Sequence, residues 1–190
     1  MESNQEPEST GITKHNNSQL ASMADAEQIK EFRKRIESFT RTINRAPDPT
    51  KIQNHQGANY IPISTVEKDL DKVYFGLVQY ELISFHHVLN EVVVIARIKV
   101  FHPVINQWMH YDGIGAGLLQ QDANTKVSDF IYHKKGNAMK LAAPNAYAEA
   151  IKNAAKKIGK RFGSDLNRKH EDFYQPNYKD DDDSNNKPLN

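Results

Sequence analysis

The sequence has no cysteine among its 190 residues. That removes disulfides, thiolate-bound zinc, iron–sulfur clusters and thiol nucleophiles together, and it fits a reducing compartment. Long apolar runs are also missing. The most apolar stretch, residues 92–96, falls far short of the roughly 20 residues a membrane-spanning helix requires. The opening MESNQEPESTG has neither the basic start nor the apolar centre of a secretory signal. A soluble, cytoplasmic protein without a membrane partner is expected.

Charge of one sign is scarce overall, because 25 Lys and Arg stand against 24 Asp and Glu, a net +1. Any polyanion site must therefore come from local concentration. Catalytic signatures are equally thin. The eight His residues include no HExxH and no i, i+4 pair, so no metal is expected. The carboxylates Glu67, Asp69, Asp71, Glu81, Glu91 and Asp112 do not cluster with other catalytic residue types. The run 113–117, GIGAG, lacks the GK[ST] ending of a phosphate loop and reads as a strand end or β-bulge. No catalytic residue and no cofactor are expected, and the chain does not read as an enzyme.

Residues 1–23 and 171–190 are polar and nearly devoid of apolar side chains, which predicts disorder at both ends. The second carries an acidic block, Asp180 to Asp183. YKDDDD at 178–183 matches most of a common epitope tag, but its surroundings do not look like a vector scar. The folded unit is expected over 24–170.

Within it, Ile29, Phe32, Ile36, Phe39 and Ile43 alternate in steps of three and four, predicting a helix over 24–43. Its narrow stripe suits packing on its own sheet or against a second subunit. Residues 45–57 read as a loop. Ser64-Thr65-Val66-Glu67 has the form of a capping box before a short helix with Val66, Leu70, Val73 and Tyr74 on its apolar face. Strands are predicted at 78–85, 88–101 and 108–114, rich in β-branched and aromatic residues, with a hairpin loop at 102–107. In the central one, Val92, Val94, Ala96, Ile98 and Val100 should face the core, and Arg97 and Lys99 the other side. Trp108 and Tyr111 suit cross-strand packing better than base stacking. The fold class is α+β: an antiparallel β meander packed against helices, ending in a basic amphipathic helix.

That last helix, read over 145–168, is the strongest signal. Tyr147, Ile151, Ala154, Ile158 and Phe162 form one apolar stripe. Lys152, Lys156 and Lys160 step by four along one flank, and Lys157 and Arg161 extend the positive surface to the far side. Across residues 134–169, ten Lys or Arg stand against only Glu149 and Asp165. A row of ammonium groups on a packed helix suits a nucleic-acid backbone, although a solvated Lys-rich face has the same composition.

The order of motifs resembles the Rad-fifty-two superfamily of single-strand annealing proteins, most closely its small phage-encoded (Sak-like) members. The similarity covers roughly residues 55–168. It runs from Tyr60-Ile61 through VVVIARIKV and HYDGIGAG to the helix AYAEAIKNAAKKIGKRFG. The resemblance implies ATP-independent binding of single-stranded DNA, annealing of complementary strands in recombination and repair, and homo-oligomeric rings that are ring formers through self-contact. A single-stranded DNA-binding protein or an exonuclease would be a further partner, and a phage protein would work in the host cytoplasm. It implies groove-lining roles for Lys156, Lys157 and Lys160, with Lys152 and Arg161 on neighbouring turns. Lys134, Lys135 and Lys140 match a basic segment before the helix, Arg97 a strand arginine, and Lys51 loosely a basic residue ahead of Tyr60; Lys99 accompanies Arg97. Lys dominates here where the family helix often has Arg, giving point-charge and not forked phosphate contacts. The rivals are a non-annealing single-stranded DNA or RNA binding module and a metal-dependent nuclease.

Overall fold

A computed structural model describes residues 12–168 except 56, 125, 127–128 and 130–132. The predicted disordered ends therefore lie outside it at 1–11 and 171–190. The chain divides into two compact units, Met1–Phe39 and Thr40–Asn190. The first is the helix α1, Ile12–Ile43, whose last residues enter the second unit. α1 begins twelve residues before the predicted start, inside the segment expected to be disordered. Extending an existing helix adds one backbone bond per residue fixed and needs no new nucleus, so polar residues can join it. Of its predicted stripe, Ile29 and Phe32 are exposed and Ile36, Phe39 and Ile43 half-buried.

In the second unit a short 3₁₀ turn at Pro49–Lys51, capped by Asp48 Oδ1 on the Thr50 amide at 3.0 Å, leads into a hairpin. Of its strands, β1 (Gln53–His55) lies inside the predicted loop and β2 (Ala58–Tyr60) directly after it. Three-residue strands reading Gln-Asn-His and Ala-Asn-Tyr carry no β-branched residue and no sustained alternation, so sequence patterning misses them. α2 spans Ile63–Val73. Its N-cap is Pro62 and no side chain caps it, so the predicted box at Ser64–Glu67 does not form. The proline supplies the turn itself, with its carbonyl accepting from Thr65 and Val66 amides. The predicted apolar face holds: Val66, Leu70, Val73 and Tyr74 are buried.

The antiparallel meander is β3 (Val78–Val88), β4 (Glu91–His102) and β5 (Gln107–Leu118), in that spatial order. Val92, Val94, Ala96, Ile98 and Val100 are all buried, as their alternation predicts. α3, Ala138–Lys156, packs across β4 and β5. Each fully buried Val or Ile in this layer contributes about 1.5–3 kcal/mol of transfer free energy.

The GIGAG run forms the end of a strand, one of the two expectations, and not a bulge. It lies inside β5 in regular register with β4, and the register shift falls instead in β3 between Leu82 and Ser84. Gly113, Gly115 and Gly117 all face α3. A Cβ on them would come within 2.1, 2.1 and 2.6 Å of the Ala150, Ala146 and Ala142 carbonyl oxygens. Three glycines at period two meet alanines at period four, and backbone packs directly on backbone.

α3 also ends earlier than its sequence suggests. It stops at Lys156, the chain turns, and a 3₁₀ turn follows at Lys160–Phe162. Gly159 is the reason: a Cβ there would lie 2.4 Å from the Ile43 carbonyl oxygen, so the chain passes this backbone only as glycine. Ile151, Ala154, Ile158 and Phe162 remain buried across the break, and Tyr147 is half-buried. Among the described residues no helix is long and apolar enough to cross a membrane.

Candidate nucleic-acid interface

The end of α3 does not present one continuous row of cations. Successive helix residues advance 100°, so Lys157 points about 140° away from Lys152. Lys152 and Lys156 line a cavity of about 480 Å³ together with Tyr60, His55 and Phe162. The Lys152 ammonium sits 5.4 Å from the centre of the Tyr60 ring, within cation–π range. Glu149 Oε2 is 2.5 Å from the same Nζ. Lys156 donates to Asn153 Oδ1 at 2.8 Å and is exposed.

Tyr60 is held by the hairpin. Its hydroxyl donates to Gln53 Oε1 at 2.6 Å across the β1–β2 pair. A reciprocal amide pair fixes the hairpin to the chain after Phe162: the Asn59 amide donates to Asn167 Oδ1 at 2.8 Å, and Asn167 Nδ2 donates to the Asn59 carbonyl at 2.9 Å. The cleft thus combines two ammonium groups, one carboxylate and an aromatic ring on a fixed frame.

The other predicted cations go elsewhere. Lys157 Nζ donates to the Asp112 carbonyl at 2.6 Å, and Asn153 Nδ2 to the Ile114 carbonyl at 2.9 Å, both on the edge strand β5. Lys160 pairs with Asp165 at 3.0 Å and lines a second cavity with Arg41 and Arg168. Arg161 and Lys51 share one carboxylate oxygen of Asp69, at 3.7 and 3.1 Å, so the loosely matched Lys51 does lie beside the last turn. Asp69 is buried; its two cationic neighbours compensate the charge, although Arg161 Nε is buried with no partner among the described residues.

On the far face of the sheet, Arg97 makes a two-pronged bond to Asp112 at 2.6 and 2.9 Å, and Lys99 pairs with Glu81. This pairing holds the Asp112 carboxyl below its usual range. Cross-strand ladders of this kind use the cations internally, which lowers their availability to phosphate. Phe101 and Trp108 pack edge-on at 5.6 Å, the cross-strand pairing expected. Lys134, Lys135 and Lys140 are exposed near the start of α3. Lys140 is about 24 Å of helix rise from Lys156 and on a different face. Among the described residues no group of His and carboxylate side chains could hold a metal.

The structure brings Lys152 and Lys156 to one cleft and Lys51 beside Arg161, and it turns Lys157 toward β5 and Lys160 toward Asp165. The sequence reading missed His55, Asn59 and Asn167 as cleft residues. The Asn59–Asn167 pair spans 108 positions and has no local signature. Comparison of the sequence with protein-family models and with curated proteins returns no match.

Proposed function

We propose that this protein binds single-stranded DNA and promotes annealing of complementary strands without ATP. The observation that carries the reading is the cleft in which Lys152 and Lys156 flank the ring of Tyr60. Ammonium groups supply phosphate contacts, and a tyrosine beside them gives a base a stacking surface. Neither discriminates sequence, which is what an annealing protein requires: base pairing itself selects the partner strand. The resemblance to the Rad-fifty-two superfamily supports the same reading and adds a homo-oligomeric ring, a basic final helix lining a groove, and a cytoplasmic site of action.

In this mechanism one strand lies along the cations with its bases held apart, so that a second strand tests pairing without competing hairpins. The protein positions and performs no bond chemistry. The deciding measurement is the rate of pairing of two complementary oligonucleotides, with and without protein, ATP and Mg²⁺. Acceleration without ATP or Mg²⁺ is expected. Tight binding without acceleration would identify a non-annealing binding module, and strand cleavage with Mg²⁺ a nuclease.

A further inference from the structure

The two side chains that reach the β5 edge are set there by the glycine–alanine contact. With no side chains on Gly113 and Gly115, α3 lies close enough to β5 for its flank to reach over the outer backbone. Four helix residues rise about 6 Å and two strand residues span about 6.7 Å, so the two elements stay in step. Asn153 Nδ2 therefore meets the Ile114 carbonyl at 2.9 Å, and Lys157 Nζ, one turn on, the Asp112 carbonyl at 2.6 Å. One turn earlier the residue is Glu149, whose carboxylate cannot donate and pairs with Lys152. The cover on the edge is two donors long.

One of these donors is also tied to the Tyr60 cleft. Asn153 Oδ1 accepts from Lys156 Nζ at 2.8 Å, and Lys156 lines the cleft. A single amide thus holds a cleft cation on its oxygen and an edge carbonyl on its nitrogen. Donation into the oxygen polarises the amide and strengthens donation from its nitrogen. A phosphate offers Lys156 a charged acceptor, with bonds about twice as strong as those to a neutral oxygen. Once Lys156 turns to it, Asn153 loses both the bond that orients it and the polarisation that strengthens its hold on Ile114.

What the cover keeps out is another strand. β3 and β5 are the two edges of one sheet, and both run antiparallel to β4, hence parallel to each other. They are nearly equal in length, at 11 and 12 residues. A second copy laid beside the first in the same orientation brings its β3 against this β5 along the whole edge. Leu82 and Phe85 of that β3, left exposed because α3 packs on β4 and β5, then lie against α3 of the first copy. Amides of the incoming strand replace the side-chain donors, so the Asp112 and Ile114 carbonyls stay bonded.

We propose that the β5 edge is the seat of a second copy's β3, that Asn153 and Lys157 keep it shut in the free protein, and that a phosphate on Lys156 loosens this cover. The proposal rests on the reading of the cleft as a strand-binding site. Coupling of this kind is reciprocal: whatever factor the bound strand adds to assembly, assembly adds to strand affinity.

The test compares the wild-type chain with Asn153→Ala/Lys157→Ala, in which both donors are gone and the helix is favoured. Circular dichroism checks the fold, and light scattering over a dilution series gives the concentration at which each assembles. Without nucleic acid the double variant should assemble at a concentration at least about fivefold below wild type, the small end of usual coupling between sites. An oligothymidylate, which cannot pair with itself, should lower the wild-type midpoint by a similar factor and shift the variant little. Adding Leu82→Lys/Phe85→Lys to the double variant should cancel its gain. Equal midpoints for wild type and variant without nucleic acid would overturn the proposal. So would a gain that survives the β3 lysines, since the occupant would then be another strand. An oligothymidylate that binds wild type by fluorescence anisotropy, yet leaves its midpoint in place, would overturn the proposal and spare the binding reading. Failure of the oligothymidylate to bind at all would overturn both.

Discussion

Lysines that look alike in the sequence have unlike surroundings. Lys152 and Lys156 border the Tyr60 cleft, beside Glu149 and Asn153 respectively, whereas Lys157 is bonded to a strand carbonyl and Lys99 to Glu81 away from it. The proposed function therefore ranks them. Replacing Lys152 and Lys156 together by Ala should weaken single-strand binding at least tenfold. Losing two phosphate contacts should also flatten the dependence of log affinity on log salt by about 1.4, at roughly 0.7 per contact for single strands. Replacing Lys99 and Arg97 should change affinity less and cost stability by removing the cations that face the half-buried carboxylates of Glu81 and Asp112. Titrations at several salt concentrations measure both quantities, and equal losses from the two pairs would refute the ranking.

His102 gives a second test at this scale. Its Nδ1 accepts from the Val104 and Ile105 amides, each at 3.3 Å, and so organises the β4–β5 turn. Burial pushes its pKa down, favouring the neutral ring that can accept. A depressed folded-state pKa means that this stabilisation is full above the ordinary value near 6.5. It is lost as pH falls through the lower folded value. Thermal denaturation should show the melting temperature falling as pH drops below 6.5. His102→Asn, whose side-chain oxygen can accept the same amides without titrating, should remove that part of the fall.

Among elements, the sheet–helix contact shows what sequence could and could not reveal. The alternation from Val92 to Val100 announces its inner face directly, because period two and burial are the same fact. The role of Gly113, Gly115 and Gly117 was hidden, since it depends on alanines about 30 residues later. The break after Lys156 was hidden for a similar reason: Gly159 yields to the Ile43 backbone, a contact between distant parts of the chain. The Tyr60 cleft was half legible, with its lysines visible and its Asn59–Asn167 clamp not. Gly115→Val should be costly, because a Cβ would stand 2.1 Å from the Ala146 carbonyl and the helix would have to move off the sheet. Overpacking of this kind costs about 1–3 kcal/mol or more. At roughly 2–4 °C per kcal/mol for a domain of this size, calorimetry should find a melting temperature several degrees lower. Ile114→Val, next in sequence but exposed on the opposite face, should change it little.

For the whole molecule the decisive feature is the sheet's unequal edges. On β5, the Asp112 and Ile114 carbonyls already accept from Lys157 and Asn153, so this edge is partly closed to another strand. β3 forms the opposite edge, and α3 packs on β4 and β5. Leu82 and Phe85 of β3, opposite Ala96 and Val94, lie on the core side of the sheet yet are 57% and 45% exposed. Leu89 follows in the adjoining turn at 76%. Clustered apolar side chains at an open strand edge are seldom left bare, because the same surface invites pairing with another chain. Unlike edges favour a head-to-tail contact, which closes into a ring or continues as a filament, over a two-fold dimer. The expectation is self-association, with this β3 surface buried in it. Light scattering should give a mass well above the 21.7 kDa of one chain, and Leu82→Lys/Phe85→Lys should return it toward that value while leaving the far-ultraviolet circular dichroism unchanged. A wild-type mass of one chain, with and without single-stranded DNA, would refute the assembly. A mass that the double variant leaves untouched would move the interface away from β3.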